Sequence, residues 1–160
     1  MISKSQIEAF KSIETPFYFY DMELLDQTLS LYRSVTDRYG YVPHYAVKAN
    51  NDARILARMR EYGFGIDCVS GGEVRLAVES GFDPSKIVFA GVAKTDAEIR
   101  YAIQAGIGCF NCESLQELEI IDSIARSLGR RAPVAFRINP DIDAHTHKYI
   151  STGLEENKFG

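Results

Sequence analysis

Lys48 is the residue of this sequence best suited to covalent chemistry. It follows the apolar run Tyr45 to Val47, and no acidic residue stands directly beside it. Because an apolar setting disfavours a charged ammonium, a lysine placed there can serve as the neutral amine of a nucleophile or a Schiff base. The competing interpretation is a lysine at the end of a strand whose ammonium simply reaches water, as most lysines do.

Two further charges, Asp67 and Arg137, stand inside apolar runs. The alternation of a strand places Asp67 on the opposite side from Ile66 and Cys68, where its carboxylate needs a partner. That partner is either a functional group or an ordinary backbone or arginine donor. A buried guanidinium such as that of Arg137 must likewise meet an acid or an anionic ligand. Since both residues stand near the C-terminal ends of predicted strands, we expect them to face one shared site.

Three other patterns are weaker indications of function. Cys109 and Cys112 have Cys-x-x-Cys spacing, but no second pair completes a zinc site. His145 and His147 supply two imidazoles without an identifiable third ligand, so a structural or substrate-side loop is favoured. Gly63 and Gly65 precede a strand instead of following one, which argues against a dinucleotide-binding fingerprint. We therefore predict no metal site, and we interpret all three cysteines as reduced thiols.

A repeating unit, beginning at about residue 44, must position these side chains. Each unit has an apolar, β-prone run, a helix start signal, a helical stretch and a closing glycine. The apolar runs are His44 to Ala49, Ile66 to Val69, Ile87 to Val92, Ile107 to Asn111 and Val134 to Ile138. Capping boxes are predicted at Ser70 to Glu73, Thr95 to Glu98 and Ser114 to Glu117. Helix ends are predicted at Gly63, Gly81, Gly106 and Gly129.

The resulting order, β-α-β-α-β-α-β-α-β, is typical of a parallel sheet with right-handed crossovers. Two closures of that sheet fit the pattern equally well. A doubly wound sheet carries helices on both faces and binds ligands where the strand order reverses. A barrel carries every helix outside and has its site at the C-terminal ends of the strands.

The segments on either side of the repeat differ from it. Thr15 to Tyr20 is predicted to be a strand, and an amphipathic helix from about Leu24 should end near Gly40. Asn139 to Gly160 shows no helical periodicity and is interpreted as a long functional loop.

Composition narrows the range of functions. The chain has 160 residues, 46% of them hydrophobic and 25% charged, which indicates one globular domain. The formal net charge of -4, without a dense basic run, argues against nucleic acid or an anionic membrane as the partner. No apolar stretch reaches the length of a membrane span, and the first residues lack a secretory signal. We therefore expect a cytoplasmic protein that acts on a small molecule.

Several motifs, in this order along the chain, resemble the fold-type III pyridoxal-phosphate decarboxylases. They are Tyr45-Ala46-Val47-Lys48-Ala49-Asn50, Gly63 to Glu73 and Phe136-Arg137-Ile138-Asn139-Pro140. Within that family, His145 to Leu154 and Lys158 to Gly160 resemble the members that act on meso-diaminopimelate. The resemblance runs from about Thr15 to the last residue.

This resemblance implies a (β/α)8 TIM barrel of the alanine racemase type, α/β in class, and a β-domain that Thr15 to Tyr20 would extend by one strand. It implies that Lys48 binds pyridoxal 5'-phosphate covalently, with Asp67 and Arg137 lining the cofactor side of the site. The implied reaction removes the carboxylate at the D-configured centre of meso-2,6-diaminopimelate and gives L-lysine and carbon dioxide. Residues 1–43 would lead into the barrel, and residues 44–160 would form an incomplete cofactor-binding barrel.

About five barrel strands are recognisable in this chain, whereas a complete barrel has eight and needs roughly 200–250 residues. We therefore expect a partial barrel without the C-terminal β-domain, whose bare sheet edges favour pairing between chains. A homo-oligomer, or association with the remainder of a longer chain, is the expected state. Two alternative functions stay open: a decarboxylase of another basic amino acid such as ornithine, arginine or carboxynorspermidine, and a non-catalytic relative of the same fold.

Overall fold

A computed structural model describes residues 2–140 of the chain, in which six helices and five strands follow one another. The helices are α1 (Lys4–Phe10), α2 (Met22–Tyr39), α3 (Ala53–Glu61), α4 (Gly71–Glu79), α5 (Asp96–Ala105) and α6 (Leu115–Ser127). The strands are β1 (His44–Ala46), β2 (Gly65–Cys68), β3 (Ile87–Phe89), β4 (Cys109–Cys112) and β5 (Val134–Phe136). From β1 onward strands and helices alternate, which confirms the predicted order. The predicted loop at Asn139 to Gly160, with His145 and His147, lies almost wholly outside the described residues.

The five strands form one parallel sheet whose spatial order, β1-β2-β3-β4-β5, is also their order in the chain. A doubly wound sheet reverses its strand order at a switch point, and this sheet does not. Sequential right-handed crossovers instead place every connecting helix on the same side of the sheet. The order therefore decides between the two closures and identifies a partial (β/α)8 barrel.

Local signals at the helix ends are largely confirmed. Thr95 and Glu98 form a complete capping box at the start of α5. Ser70 and Ser114 also cap their helices, but the carboxylates three residues later accept hydrogen bonds from the residues that precede the caps. Those two helix starts are therefore not closed capping boxes. The predicted terminal glycines adopt the left-handed conformation, with φ of 76° at Gly63 and 75° at Gly106.

The two faces of the sheet have different neighbours. Side chains that point toward the helices on β2, β3 and β4 are almost completely buried; they are Ile66, Cys68, Ile87, Phe89, Phe110 and Cys112. On the opposite face, which becomes the inside of a barrel, Asp67, Val88 and Asn111 are only half-buried. Phe136 of β5 is on the helix side, like its register partner Cys112, yet it is 52% exposed. No helix among residues 2–140 covers β5.

The predicted strand at Thr15 to Tyr20 is wrong, because the structure has no strand there. A strand needs a hydrogen-bonding neighbour, and no described segment pairs with these residues. Instead, Phe17 and Phe19 pack against Phe10 of α1, with ring centroids 5.4 and 4.9 Å from that ring. This packing covers the segment only in part, since Phe17 and Phe19 stay 37% and 39% exposed and Tyr18 89%.

Helix α2 ends at Gly40, as predicted, but its apolar residues do not share one buried face. Leu29 is buried against the core, whereas Leu24, Leu31 and Val35 are all half-exposed or more. This helix therefore carries a second apolar surface that no element among residues 2–140 covers. Within the same residues, no helix combines the length and the apolar character that crossing a membrane requires.

Candidate functional site

Lys48 lies just beyond the C-terminal end of β1, in a single 3-10 turn formed by Val47–Ala49. The sequence predicted a strand as far as Ala49, and this turn replaces its last three residues. Val47 is buried, which directs the neighbouring Lys48 side chain away from the core and leaves it exposed. Tyr45 steadies the turn, since its hydroxyl donates to the carbonyl of Asn50 over 3.1 Å. Among residues 2–140, the Lys48 ammonium forms no hydrogen bond or ion pair.

Asp67 stands on the neighbouring strand, on the same inner side of the sheet as Lys48. Its register partner in β1 is Ala46, two residues before Lys48. Burial raises the pKa of the Asp67 carboxyl, and the positive charges of Lys48 and His44 offset that shift only in part. The structure therefore brings together the lysine and the aspartate that the sequence singled out. An exposed amine beside a carboxyl that readily takes a proton is suited to holding an aldehyde cofactor.

Replacing Asp67 with asparagine should raise the free energy of unfolding near neutral pH. Because the pKa of Asp67 is raised in the folded chain, the carboxyl stabilises the fold at low pH and loses that contribution as the pH rises through the folded-state pKa. Asparagine carries no charge to bury, so its advantage should disappear below about pH 3, where aspartate is protonated. Urea unfolding of both chains at several pH values measures the difference.

Asp83 supplies a matched control with the opposite sign. Hydrogen bonds from Ser85 lower the pKa of the exposed Asp83 carboxyl, so its charged form is favoured in the folded chain. Asp83→Asn should therefore destabilise the chain near neutral pH. An Asp67→Asn chain that is less stable than the wild type there would show that the carboxylate has a stabilising partner instead.

Arg137 lies immediately after β5, and its backbone N–H donates to the carbonyl of Cys112 over 3.0 Å. Its guanidinium donates from Nη1 to both carboxylate oxygens of Glu113, at 2.9 and 3.3 Å. Glu113 follows β4 directly, and its side chain is only 5% exposed. The acid that Arg137 meets is therefore Glu113, and no ion pair joins Arg137 to Asp67 among the described residues.

A second buried pair connects the same strand ends. Lys94, in the loop after β3, is 1% exposed and forms an ion pair with Glu117 of α6. Its ammonium also donates hydrogen bonds to the carbonyls of Gly91 and Asn111, over 2.7 and 2.9 Å. Glu117 also accepts a hydrogen bond from the backbone of Glu113 over 3.0 Å. We call Lys94, Glu113, Glu117 and Arg137 the strand-end network.

Sequence reasoning identified Arg137 but missed the rest of the strand-end network. Glu117 was predicted to complete a capping box, and a capping carboxylate carries no signal for a distant lysine. Lys94 stands two residues after the apolar run Ile87 to Val92, and that position by itself indicates no buried partner. Only the three-dimensional order of the strand ends brings these charges together.

The cysteines confirm the expectation of free thiols within the described residues. Cys109 and Cys112 are three positions apart on one strand, so their side chains point to opposite faces of the sheet. Burial raises the pKa of all three thiols, that of Cys68 to about 12. No group of three potential metal ligands is found among residues 2–140, while His145 and His147 lie beyond them.

Comparison with known proteins identifies related sequences. A model of the pyridoxal-dependent decarboxylases, describing their pyridoxal binding domain, matches residues 25–160. A diaminopimelate decarboxylase from Bacteroides thetaiotaomicron is 54% identical over 155 residues. That alignment covers 96% of this chain and 40% of the relative. The chain thus spans well under half the length of that protein.

Solved structures agree with the sequence matches. The crystal structure of diaminopimelate decarboxylase from Helicobacter pylori, complexed with L-lysine, matches with a TM-score of 0.86 and 44% identity. The match covers 96% of this chain and 39% of that one. An arginine decarboxylase from Paramecium bursaria Chlorella virus matches less well, with a TM-score of 0.63 and 30% identity over 75% of this chain and 32% of that one.

Proposed function

We propose, because this chain belongs to the pyridoxal-dependent decarboxylase family, that it supplies the lysine-bearing part of an enzyme that decarboxylates meso-2,6-diaminopimelate to L-lysine and carbon dioxide. The observation that carries the proposal is the position of Lys48, an exposed lysine in the turn that follows β1 and beside Asp67 on the inner face of a barrel-type sheet. Catalytic residues of such barrels come from the C-terminal ends of the strands.

The side chains among residues 2–140 suit the end of pyridoxal phosphate that would be held covalently. Lys48 would hold the cofactor covalently through Nζ, and Asp67 and Arg137 would bind it from the same edge of the sheet. When bound, pyridoxal phosphate supplies an electron-withdrawing ring that stabilises the negative charge left on carbon by the loss of carbon dioxide. The residues that grip the phosphate would come from outside residues 2–140.

The chain's own groups prepare the lysine for this role. Covalent bond formation needs the neutral amine of Lys48. Asp67 lies beside this amine, and because burial raises the pKa of its carboxyl, it holds the lysine in the ammonium form less strongly than an ordinary aspartate would. A free Lys48 amine would also be placed to carry a proton near the reacting carbon.

Substrate preference is proposed from the relatives. The Bacteroides and Helicobacter proteins named diaminopimelate decarboxylase are 54% and 46% identical to this chain, against 30% for the viral arginine decarboxylase structure. Decarboxylation of another basic amino acid, such as ornithine, arginine or carboxynorspermidine, is the second candidate, and of these only arginine is supported by the matches given above, through the viral enzyme. A non-catalytic relative is the third, and the retained Lys48 speaks against it.

We also propose the setting in which the chain works. Residues 1–43 lead into the barrel and residues 44–160 belong to it, in a cytoplasmic enzyme. Within residues 2–140, strands β1 and β5 are each paired on one side only, and Phe136 is 52% exposed beside the β5 edge. Such edges and apolar surfaces require cover, which the remainder of a longer chain or a second copy of this one would supply.

The test is covalent capture of pyridoxal phosphate at Lys48. The protein is incubated with the cofactor, reduced with borohydride and digested, and the peptides are analysed by mass spectrometry. We expect the added mass on the peptide that contains Lys48, and its complete loss in Lys48→Ala. Lys86→Ala is the matched control, since Lys86 is a half-buried lysine next to β3 at the opposite end of the sheet.

Two outcomes would refute the proposal. Equal labelling of exposed lysines such as Lys4 and Lys11 would mean that Lys48 has no special affinity for the cofactor. Release of carbon dioxide from ornithine or arginine, but not from meso-diaminopimelate, would refute the proposed substrate while leaving the proposed cofactor in place.

A further inference from the structure

We propose that Glu113 is a positioning residue that acts through Arg137 on bound pyridoxal phosphate. This inference rests on the function proposed above, and it assigns a role to an acid that the sequence did not indicate. The Glu113 side chain is only 5% exposed and its carboxylate is bonded to Arg137, so we assign it a role through Arg137 instead of direct contact with the cofactor.

The hydrogen bonds of the pair leave one edge of the guanidinium available. The Nη1 group of Arg137 donates its hydrogen bonds to Glu113, whereas Nε and Nη2 of Arg137 have no hydrogen-bond partner within residues 2–140. The Arg137 side chain is 36% exposed, against 5% for Glu113. A guanidinium is a rigid planar fork, so fixing one nitrogen also sets the direction of the others. Glu113 thereby presents the second edge of the fork to an anionic group at the strand ends.

Glu113 is itself fixed from two directions. Its carboxylate accepts the backbone N–H of Gly91 over 3.2 Å, which ties it to the loop after β3. Its own backbone N–H donates to Glu117, which Lys94 neutralises. The strand-end network therefore joins the ends of β3, β4 and β5, and the carboxylate that holds Arg137 cannot rotate freely.

Pre-orientation of this kind contributes to binding by reducing the freedom that the ligand would otherwise have to remove. A free arginine side chain samples many rotamers, and ordering it opposes association. Removing the negative charge of Glu113 should therefore weaken cofactor binding, although Glu113 does not touch the cofactor. The effect should require Arg137, since the acid acts only through it.

A double-mutant cycle on cofactor affinity tests the inference in the full-length protein proposed above. Dissociation constants for pyridoxal phosphate are measured by absorbance titration for the wild type, Glu113→Gln, Arg137→Lys and the double variant. We expect each single change to weaken binding about tenfold, and the double variant to be no weaker than Arg137→Lys within about twofold. Thermal midpoints, measured in parallel, separate loss of affinity from loss of folding.

Asp122→Asn is the matched control, because it breaks an exposed ion pair with Arg126 on α6 and should leave the affinity unchanged. If Glu113→Gln does not fold, Glu113→Asp retains the charge but shortens the side chain, and it should weaken binding in the same direction. The inference would be overturned if Glu113→Gln lowered the thermal midpoint without changing the affinity for pyridoxal phosphate. It would also be overturned if Glu113→Gln weakened that affinity by the same factor whether or not Arg137 is present. A wild type that takes up no cofactor would instead refute the proposed function itself.

Discussion

Replacing Lys94 with methionine should lower the free energy of unfolding by about 3–5 kcal/mol, the usual cost of removing one partner of a buried ion pair. Lys94 is 1% exposed, and its ammonium bonds to Glu117 and to the carbonyls of Gly91 and Asn111. Methionine fills a similar volume but leaves a carboxylate without its counter-charge and two carbonyls without donors. Since domains of this size are stable by roughly 5–15 kcal/mol, the loss should be severe.

Urea unfolding of the variant measures this loss, and two controls show its cause. Lys11→Met removes a lysine whose ion pair with Glu8 is largely exposed, and should change stability by less than about 1 kcal/mol. The double variant Lys94→Met, Glu117→Gln removes both charges and should recover a large part of the loss. If Lys94→Met lowers the free energy of unfolding as little as Lys11→Met does, the buried ion pair is not formed in solution.

The Phe110→Ala variant should also lose about 3–5 kcal/mol, because it leaves a cavity in the centre of the core. Phe110 is completely buried on the helix side of β4, and its ring centroid lies 6.0 Å from that of Phe89 on the neighbouring strand. The midpoint of urea unfolding should fall while the slope with denaturant stays the same, as for a loss of packing without a change of fold.

The neighbouring strand offers a matched control for this cavity. Phe136 on β5 has the same residue type and faces the same side of the sheet, but it is 52% exposed. Phe136→Ala should change the stability of this chain by only about 0.5 kcal/mol. Equal losses for the two variants would indicate that another chain or segment covers β5 in solution.

The fold was largely predictable from the sequence, because its signals are local. Ser70, Thr95 and Ser114 cap three helices, and glycines at the other ends adopt the left-handed conformation. Such signals act within one turn of the chain and do not depend on the rest of the structure. The closure of the sheet did not follow from periodicity, since both candidate closures share the same alternation of elements.

The candidate site was predictable in its residues but not in its pairings. Lys48, Asp67 and Arg137 stand out because charges are rare within apolar runs. The partner of Arg137 is Glu113, at a separation of 24 residues along the chain, and no local pattern specifies such a contact. The same limit explains the error at Thr15 to Tyr20, where the apolar residues pack against α1 and no strand forms.

The strand order also has a consequence for hydrogen exchange. In the part of the chain that the structure describes, each strand pairs only with its neighbours in the sequence, so the contact order is low and neighbouring units can open without unfolding the whole sheet. Amide protons of β3 should therefore exchange most slowly, and those of β1 and β5 much faster. Lys48 lies in the turn that follows β1. Covalent capture of a ligand there would selectively slow exchange at one of the least protected edges of the sheet.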